Sequence, residues 1–242
     1  MNRRVSGIVG ILAAVVLFTG DMLLYGHWGG AAAIREGIGA VAPDASAARL
    51  FAGGILGPIG ALLYIIGFFH VYQNTRQVWE TAAKVVFGGC VAVMVIGGAY
   101  HALWTVRMLL YKYAVPDIPE LRPFTEAIDA YANATYTISS IPGYLAFPIL
   151  FLLVLSGGTR YPRWTAAVNP GLLILLGSLF SRFPAPLGAV IVGGYINLVY
   201  ILFFTISVLT TWRGDPGDSL NSRRIDRSRH TEPTAEAGSH RS

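Results

Sequence analysis

The chain has 242 residues, 54% of them hydrophobic and only 13% charged, with a mean hydropathy of +0.54. Soluble domains carry about 25% charged residues, and the apolar content here comes in long blocks, which excludes a soluble globule, a disordered chain, collagen and a coiled coil. The net charge of +5 does not mark a nucleic-acid binder, because six of the 18 basic residues lie in the C-terminal tail and most others flank apolar blocks, as lipid headgroups and membrane topology require.

A helix needs about 20 apolar residues to cross a hydrocarbon core about 30 Å thick. The first such block is Val5–Tyr25, preceded by Arg3 and Arg4 and interrupted by Asp21. Arg3-Arg4 and Ala31-x-Ala33 give it some likeness to a cleaved signal, but the apolar run is too long and Asp21 breaks it, so a retained span is expected. The connection Gly26–Arg49 is rich in Gly and Ala, with a Pro43-Asp44 turn, and reads as an irregular cap. The second block, Leu50–Tyr72, holds Pro58 within Gly57-Pro58-Ile59-Gly60 and ends near His70, which reads as an interfacial amphipathic histidine beside Tyr72, Gln73 and Asn74.

The third block, Ala82–Leu110, contains the single cysteine, Cys90, so neither an intramolecular disulfide nor a cysteine-based metal site is available. It also carries His101 and, nearly two turns further, Arg107, a candidate partner for Asp21, Glu126 or Asp129. Pro116, Pro119 and Pro123 then break the chain before a helix-compatible stretch begins at Thr125. Glu126, Asp129, Asn133, Tyr136 and Ser140 recur there at three- or four-residue spacing, one polar stripe that can run into the fourth block, Ile138–Ser156. The fifth block, Thr165–Phe183, is the shortest, with Asn169-Pro170 near its start and Pro184-x-Pro186 after its end. A full span is preferred over a tilted short helix or half of a re-entrant hairpin. The sixth, Gly188–Trp212, bears Asn197, and the Arg-rich segment 213–242 reads as a disordered basic cytoplasmic tail.

The expected fold is therefore an all-α polytopic transmembrane bundle of six spans, about 5–25, 50–72, 82–110, 138–156, 165–183 and 188–212. Arg3, Arg4, Arg76, Lys84, Arg160, Arg163 and Arg213 fall on one side of that alternation, which places both termini in the cytoplasm and the protein in the cell membrane. Trp28, Trp79, Trp104, Trp164 and Trp212 fall near block ends, as an interfacial aromatic belt does.

Ionisable groups in hydrocarbon are costly and mark functional candidates. Counting helical rise, Asp21 lies roughly 24 Å beyond the start of its block, and His101 reaches a similar depth. Asp21, His101, Arg107, Asp129, Asn133, Arg182 and Asn197 are thus candidates to converge near the outer surface on a ligand. His70 lies roughly 10–15 Å from His101 along the membrane normal, too far for two axial ligands of one haem. No phosphate loop, nucleophile elbow or zinc-helix motif is present, and no cofactor, metal ligand set or nucleic-acid partner is expected.

The motifs Gly20-Asp21-Met22-Leu23-Leu24-Tyr25-Gly26, Gly57-Pro58 and Gly67-Phe68-Phe69-His70 together resemble those of an uncharacterised family of bacterial multi-span membrane proteins. The resemblance implies a six-helix membrane fold in a bacterial envelope and carries no assigned activity. Three functions follow from the residues: binding or transport of a small or lipid-like ligand in an outward-facing polar cavity, an intramembrane enzyme acting on a lipid-like substrate through Asp21 and His101, or a scaffold in which the polar residues only pack helices. The first is preferred, and whether the chain is an enzyme stays open.

Overall fold

A computed structural model describes residues 1–27, 41–114, 118–180, 184 and 187–212. Among the described residues seven α-helices form: α1 Arg3–Tyr25, α2 Ala47–Thr75, α3 Glu80–Tyr113, α4 Arg122–Leu155, α5 Pro170–Leu175, α6 Gly177–Phe180 and α7 Leu187–Thr211, with 3₁₀ turns at Pro119–Leu121 and Arg163–Val168. No strand occurs among the described residues. Five segments among the described residues are long and apolar enough to cross a membrane: Arg3–Tyr25, Ala47–Thr75, Glu80–Tyr113, Pro119–Leu155 and Gly193–Thr211.

Local chemistry sets the helix ends. Asn2 caps α1, its side chain accepting from the Arg4 N–H at 2.8 Å, and Ser46 caps α2 by accepting from the Arg49 N–H at 3.2 Å. The far end of α1 is closed from α2. The Arg49 guanidinium donates to the Leu23 carbonyl at 2.7 Å, the Met22 carbonyl at 3.1 Å and the Gly26 carbonyl. They belong to the last turn and cap of α1, where a cation complements the helix dipole. Helices α3 and α4 have 34 residues each, roughly 51 Å of rise, so both extend well past a hydrocarbon core. The polar stripe from Glu126 to Ser140 is continuous with the fourth apolar block, within the single helix α4.

Helices α1 to α4 pack as consecutive neighbours, and α7 lies antiparallel along α1. Arg4 stacks on the Trp212 ring at 5.0 Å, Gly7 faces Val208, Gly10 faces Phe204, and Gly193 faces Met22. Arg3 and Thr211 therefore share one end of the bundle, called the near end below. Helix α4 finishes there too, since the Arg160 N–H donates to the Asn74 carbonyl at 3.0 Å near the end of α2.

The chain must then return to the far end before α7 begins. It does so in pieces, not as the single expected span over 165–183. Asn169 caps α5, accepting from the Gly171 N–H at 2.9 Å with Pro170 at the first helical position, and this starts a new helix inside the block. The chain is interrupted again between Leu175 and Gly177. Its polar groups are met by neighbours: the Asn169 amide donates to the Phe147 carbonyl at 3.0 Å, and the Tyr195 hydroxyl donates to the Leu173 carbonyl. Buried non-helical backbone needs that support.

Tyr64, Phe68, Tyr200 and Phe204 fill the centre with ring centroids 5.1–6.4 Å apart. Pro58 and Pro148 lie inside continuous helices, and Cys90 is buried in the apolar core. The irregular cap expected over 26–49 falls largely outside the described residues, as does the tail from 213.

Candidate functional site

Helix α2 brings its neighbours close because it lacks side chains on two faces. Gly53, Gly60 and Gly67 recur every seven residues and meet Leu24, Leu17 and the Gly10 backbone of α1. Gly54 and Gly57 occupy the other face, where Thr105 and His101 of α3 lie against the backbone. A Cβ on Gly57 would lie 2.3 Å from His101 Nδ1, so only glycine admits the imidazole at this position.

Across this notch His101 reaches α1. Its Nε2–H donates to Asp21 Oδ1 at 3.0 Å, and the second carboxylate oxygen accepts from the Asn197 amide of α7 at 2.6 Å. The Asn197 carbonyl in turn accepts from the Tyr64 hydroxyl of α2 at 2.7 Å. Four helices thus contribute one side chain each to a continuous chain, His101–Asp21–Asn197–Tyr64. All four residues are buried, Tyr64 completely. Asp21 and His101 meet inside the bundle, where a lone buried charge is costly and a paired one is tolerated. His101 Nδ1 is buried without a hydrogen-bond partner, facing the Gly57 notch beside Pro58.

The seven candidates do not form one cluster. Arg107 pairs with Asp129, not Asp21: its Nε–H donates to Asp129 Oδ1 at 2.7 Å, while the Tyr111 hydroxyl donates to Oδ2 at 2.6 Å. This second cluster lies further toward the far end. Between the two stand the rings of Tyr25, Trp104 and Tyr100, with centroids of 5.2 Å and 5.6 Å for the pairs involving Trp104. Arg107 lies over the Trp104 ring at 4.2 Å. Asn133 is exposed, and Glu126 pairs with Arg122 on the surface of α4. Arg182 lies outside the described residues.

His70 departs most from expectation. It is 1% exposed, not interfacial, because Gly7 lets α1 press its backbone against the ring. Its Nδ1–H donates to the Arg3 carbonyl at 2.8 Å, leaving Nε2 to accept from the Ser207 hydroxyl at 2.9 Å. The Tyr161 hydroxyl donates to Ser207 Oγ at 2.8 Å, and the Asn74 amide donates to the His70 carbonyl at 2.9 Å. Both ring nitrogens are satisfied by a neutral imidazole, which identifies this near-end network as a tie between α1, α2 and α7. Burial pushes the Tyr161 hydroxyl up to about 12, so it stays a neutral phenol. Beside Tyr161 and Ser207 lies a cavity of about 10 Å³, also lined by Thr165, Asn169 and Phe203, room for about one water molecule.

Sequence reasoning found Asp21, His101 and Asn197 but missed Tyr64 and Tyr111, whose hydroxyls complete the two clusters. Neither residue had a signal of its own, since tyrosines in apolar blocks read as core. Among the described residues no group of three or more His, Cys, Asp or Glu side chains could hold a metal ion. The chain belongs to a family of unknown function, DUF6796, whose model matches residues 1–213 and so takes in every described helix. No curated protein and no solved structure matches the chain.

Proposed function

We propose that this chain crosses the cell membrane of a bacterium six times, with both termini cytoplasmic, and binds or transports a small or lipid-like ligand in the outer half of its bundle. The fifth crossing is the block 165–183, whose described part is interrupted into α5 and α6. In this orientation the near end is cytoplasmic, and the placement of charge supports it. At the far end Arg49 is held by carbonyls, Arg107 by Asp129, Lys112 by the Pro43 carbonyl and Arg122 by Glu126. The near end carries Arg3, Arg4, Arg76, Lys84, Arg160 and Arg163, and an excess of Lys and Arg marks the cytoplasmic face under the positive-inside rule.

One juxtaposition carries the ligand reading. The buried Asp21–His101–Asn197 chain and the discontinuous passage engage the same stretch of α7 from different faces, Asn197 donating to Asp21 and Tyr195 to the Leu173 carbonyl. Broken segments beside buried polar side chains are where membrane carriers hold their ligands, because interrupted backbone leaves groups that only a protein wall or a cavity can satisfy. A scaffold role needs the polar chain but has no use for the interruption.

The test uses the full chain extracted with native lipid and examined by native mass spectrometry. Wild type should retain a bound small molecule that Asp21→Asn and His101→Ala both lose, with unfolding temperatures lowered by only a few degrees. Absence of any bound molecule in wild type, with additive stability losses in the two variants, supports the scaffold instead.

A further inference from the structure

Two nitrogens on the outer part of α3 have no hydrogen-bond partner although both are buried: Trp104 Nε1 and Arg107 Nη1. They belong to residues three apart, hence on one face of the helix. An unpaired buried donor costs about 1–3 kcal/mol, and more on a charged group, so two together are an unusual expense in one helical turn. The Tyr100 hydroxyl lies near the guanidinium, but neither nitrogen has an acceptor within hydrogen-bond distance. Asp129 engages Arg107 through the Nε–H alone and takes its other bond from the Tyr111 hydroxyl, and the Nη1 nitrogen is left without an acceptor. The guanidinium lies over the face of the indole, so it cannot accept the Nε1–H, which points outward in the ring plane. The Arg107 side chain is 8% exposed and so is held in place by its surroundings, with Tyr25 and Tyr100 beside the same indole.

A guanidinium has five N–H donors in a planar fork, and a carboxylate on one edge leaves the other able to take a second oxyanion. An indole N–H one turn away adds a neutral donor. Both groups only donate, so a matching ligand must only accept. We propose that Trp104 and Arg107 form the recognition site for an oxyanion, a phosphate or carboxylate group, on the ligand. This inference rests on the ligand reading above and names the chemical class that reading leaves open. The adjoining aromatic rings offer an apolar surface, so the oxyanion can come from an acidic lipid headgroup or from a small soluble acid.

Trp104→Phe separates recognition from structure, since it keeps a stacked ring and deletes one N–H. Without ligand it should leave the unfolding temperature unchanged or raised, because an unsatisfied donor has gone. With ligand it should bind roughly tenfold more weakly, the worth of about one hydrogen bond. Arg107→Lys should also weaken binding, because a point charge cannot serve Asp129 and a second oxyanion along separate edges. Arg76→Gln, at the opposite end of the bundle, should change nothing and controls for general attraction of acidic lipid to basic surface.

The full chain is placed in phosphatidylcholine nanodiscs carrying either phosphatidylglycerol or neutral diacylglycerol, and separately in detergent with inorganic phosphate or acetate, and its unfolding temperature is followed. Stabilisation by phosphatidylglycerol alone, reduced in Trp104→Phe, identifies a lipid headgroup. Stabilisation by phosphate or acetate as well, with the same reduction, identifies a soluble oxyanion. Stabilisation by diacylglycerol alone overturns the oxyanion site while leaving ligand binding in place. Stabilisation by phosphatidylglycerol that Trp104→Phe leaves untouched likewise overturns the site. No stabilisation in any arm overturns both.

Discussion

Asn197→Leu tests whether the buried polar chain acts as one unit. Leucine is close to asparagine in size, so the substitution opens little cavity and mainly removes two hydrogen bonds, one to Asp21 Oδ2 at 2.6 Å and one from the Tyr64 hydroxyl at 2.7 Å. Interhelical hydrogen bonds in membranes average about 0.6 kcal/mol and reach about 1.7 kcal/mol. The Asp21 bond involves an ionisable group and belongs at the upper end of that range, the Tyr64 bond in its middle. Losing both should cost about 2–3 kcal/mol, a fall of roughly 5–10 °C in unfolding temperature by the scaling for chains of this size. Tyr64→Phe should cost about 1 kcal/mol, because the Asn197 carbonyl alone loses its donor. The decisive comparison is the double variant. Once Asn197 is gone the Tyr64 hydroxyl has no partner to lose, so Tyr64→Phe should cost nothing further and could recover stability by deleting an orphaned group. Reversible unfolding of the four proteins in one detergent gives the coupling. Costs that add fully, or an Asn197→Leu protein more stable than wild type, would refute the view that Asn197 links Asp21 to Tyr64.

Gly57→Ala should destabilise by about 1–3 kcal/mol through its clash with the His101 ring, whereas Gly97→Ala, where an added Cβ meets nothing within 4 Å, should be neutral or stabilising by up to about 1 kcal/mol, both read by thermal unfolding. Ser207→Ala removes the donor to His70 and the acceptor of Tyr161, so it should lower stability by about 1 kcal/mol while leaving ligand retention at the far end unchanged by native mass spectrometry. In a Cys90→Ala background, Asp44→Cys should react with an impermeant maleimide in intact cells and Gln77→Cys only after permeabilisation. Equal reaction of both in intact cells would contradict the crossing of α2.

Depth was legible in the sequence, and adjacency was not. Helical rise put Asp21, His101 and Asn197 at similar levels, and the structure brings these three into one hydrogen-bonded chain. The same argument put Arg107 within reach of Asp21, Glu126 or Asp129 and could not choose among them. The choice depends on the rotation of α3, which directs His101 toward α1 and α2 and Arg107, six residues on, toward α4. His70 was misplaced for a related reason. Its neighbours Tyr72, Gln73 and Asn74 look interfacial, but the residue that buries it is Gly7, 63 positions away, and pairings of that kind are invisible to local pattern. The fifth block met the length criterion for a span only by passing over Asn169-Pro170. Those two residues are a helix start, and a start in mid-block implies two elements.

The polar clusters exist because α2 is thin. A helix carrying ordinary side chains at 53, 54, 57 and 60 would hold α1 and α3 further from its axis, and the 3.0 Å contact between Asp21 and His101 would open. Asp21 would then lie buried with Asn197 alone, and the cost of an isolated carboxylate would fall on the folded state. The glycines also dispense with the packing enthalpy of four side chains, a sacrifice that simple helix cohesion does not need, since small-residue contacts on one face suffice for that. Two glycine faces on one helix, one toward the carboxylate and one toward the imidazole, make sense as the geometry that closes an acid–base pair across a third backbone. Pro58 sits in the middle of this stretch, lacks an N–H of its own and so frees the Gly54 carbonyl above the notch, where the remaining imidazole nitrogen has no partner. The pair is therefore hydrogen-bonded on its α1 and α7 side, while on its α2 side the imidazole is held by close packing against Gly57 alone.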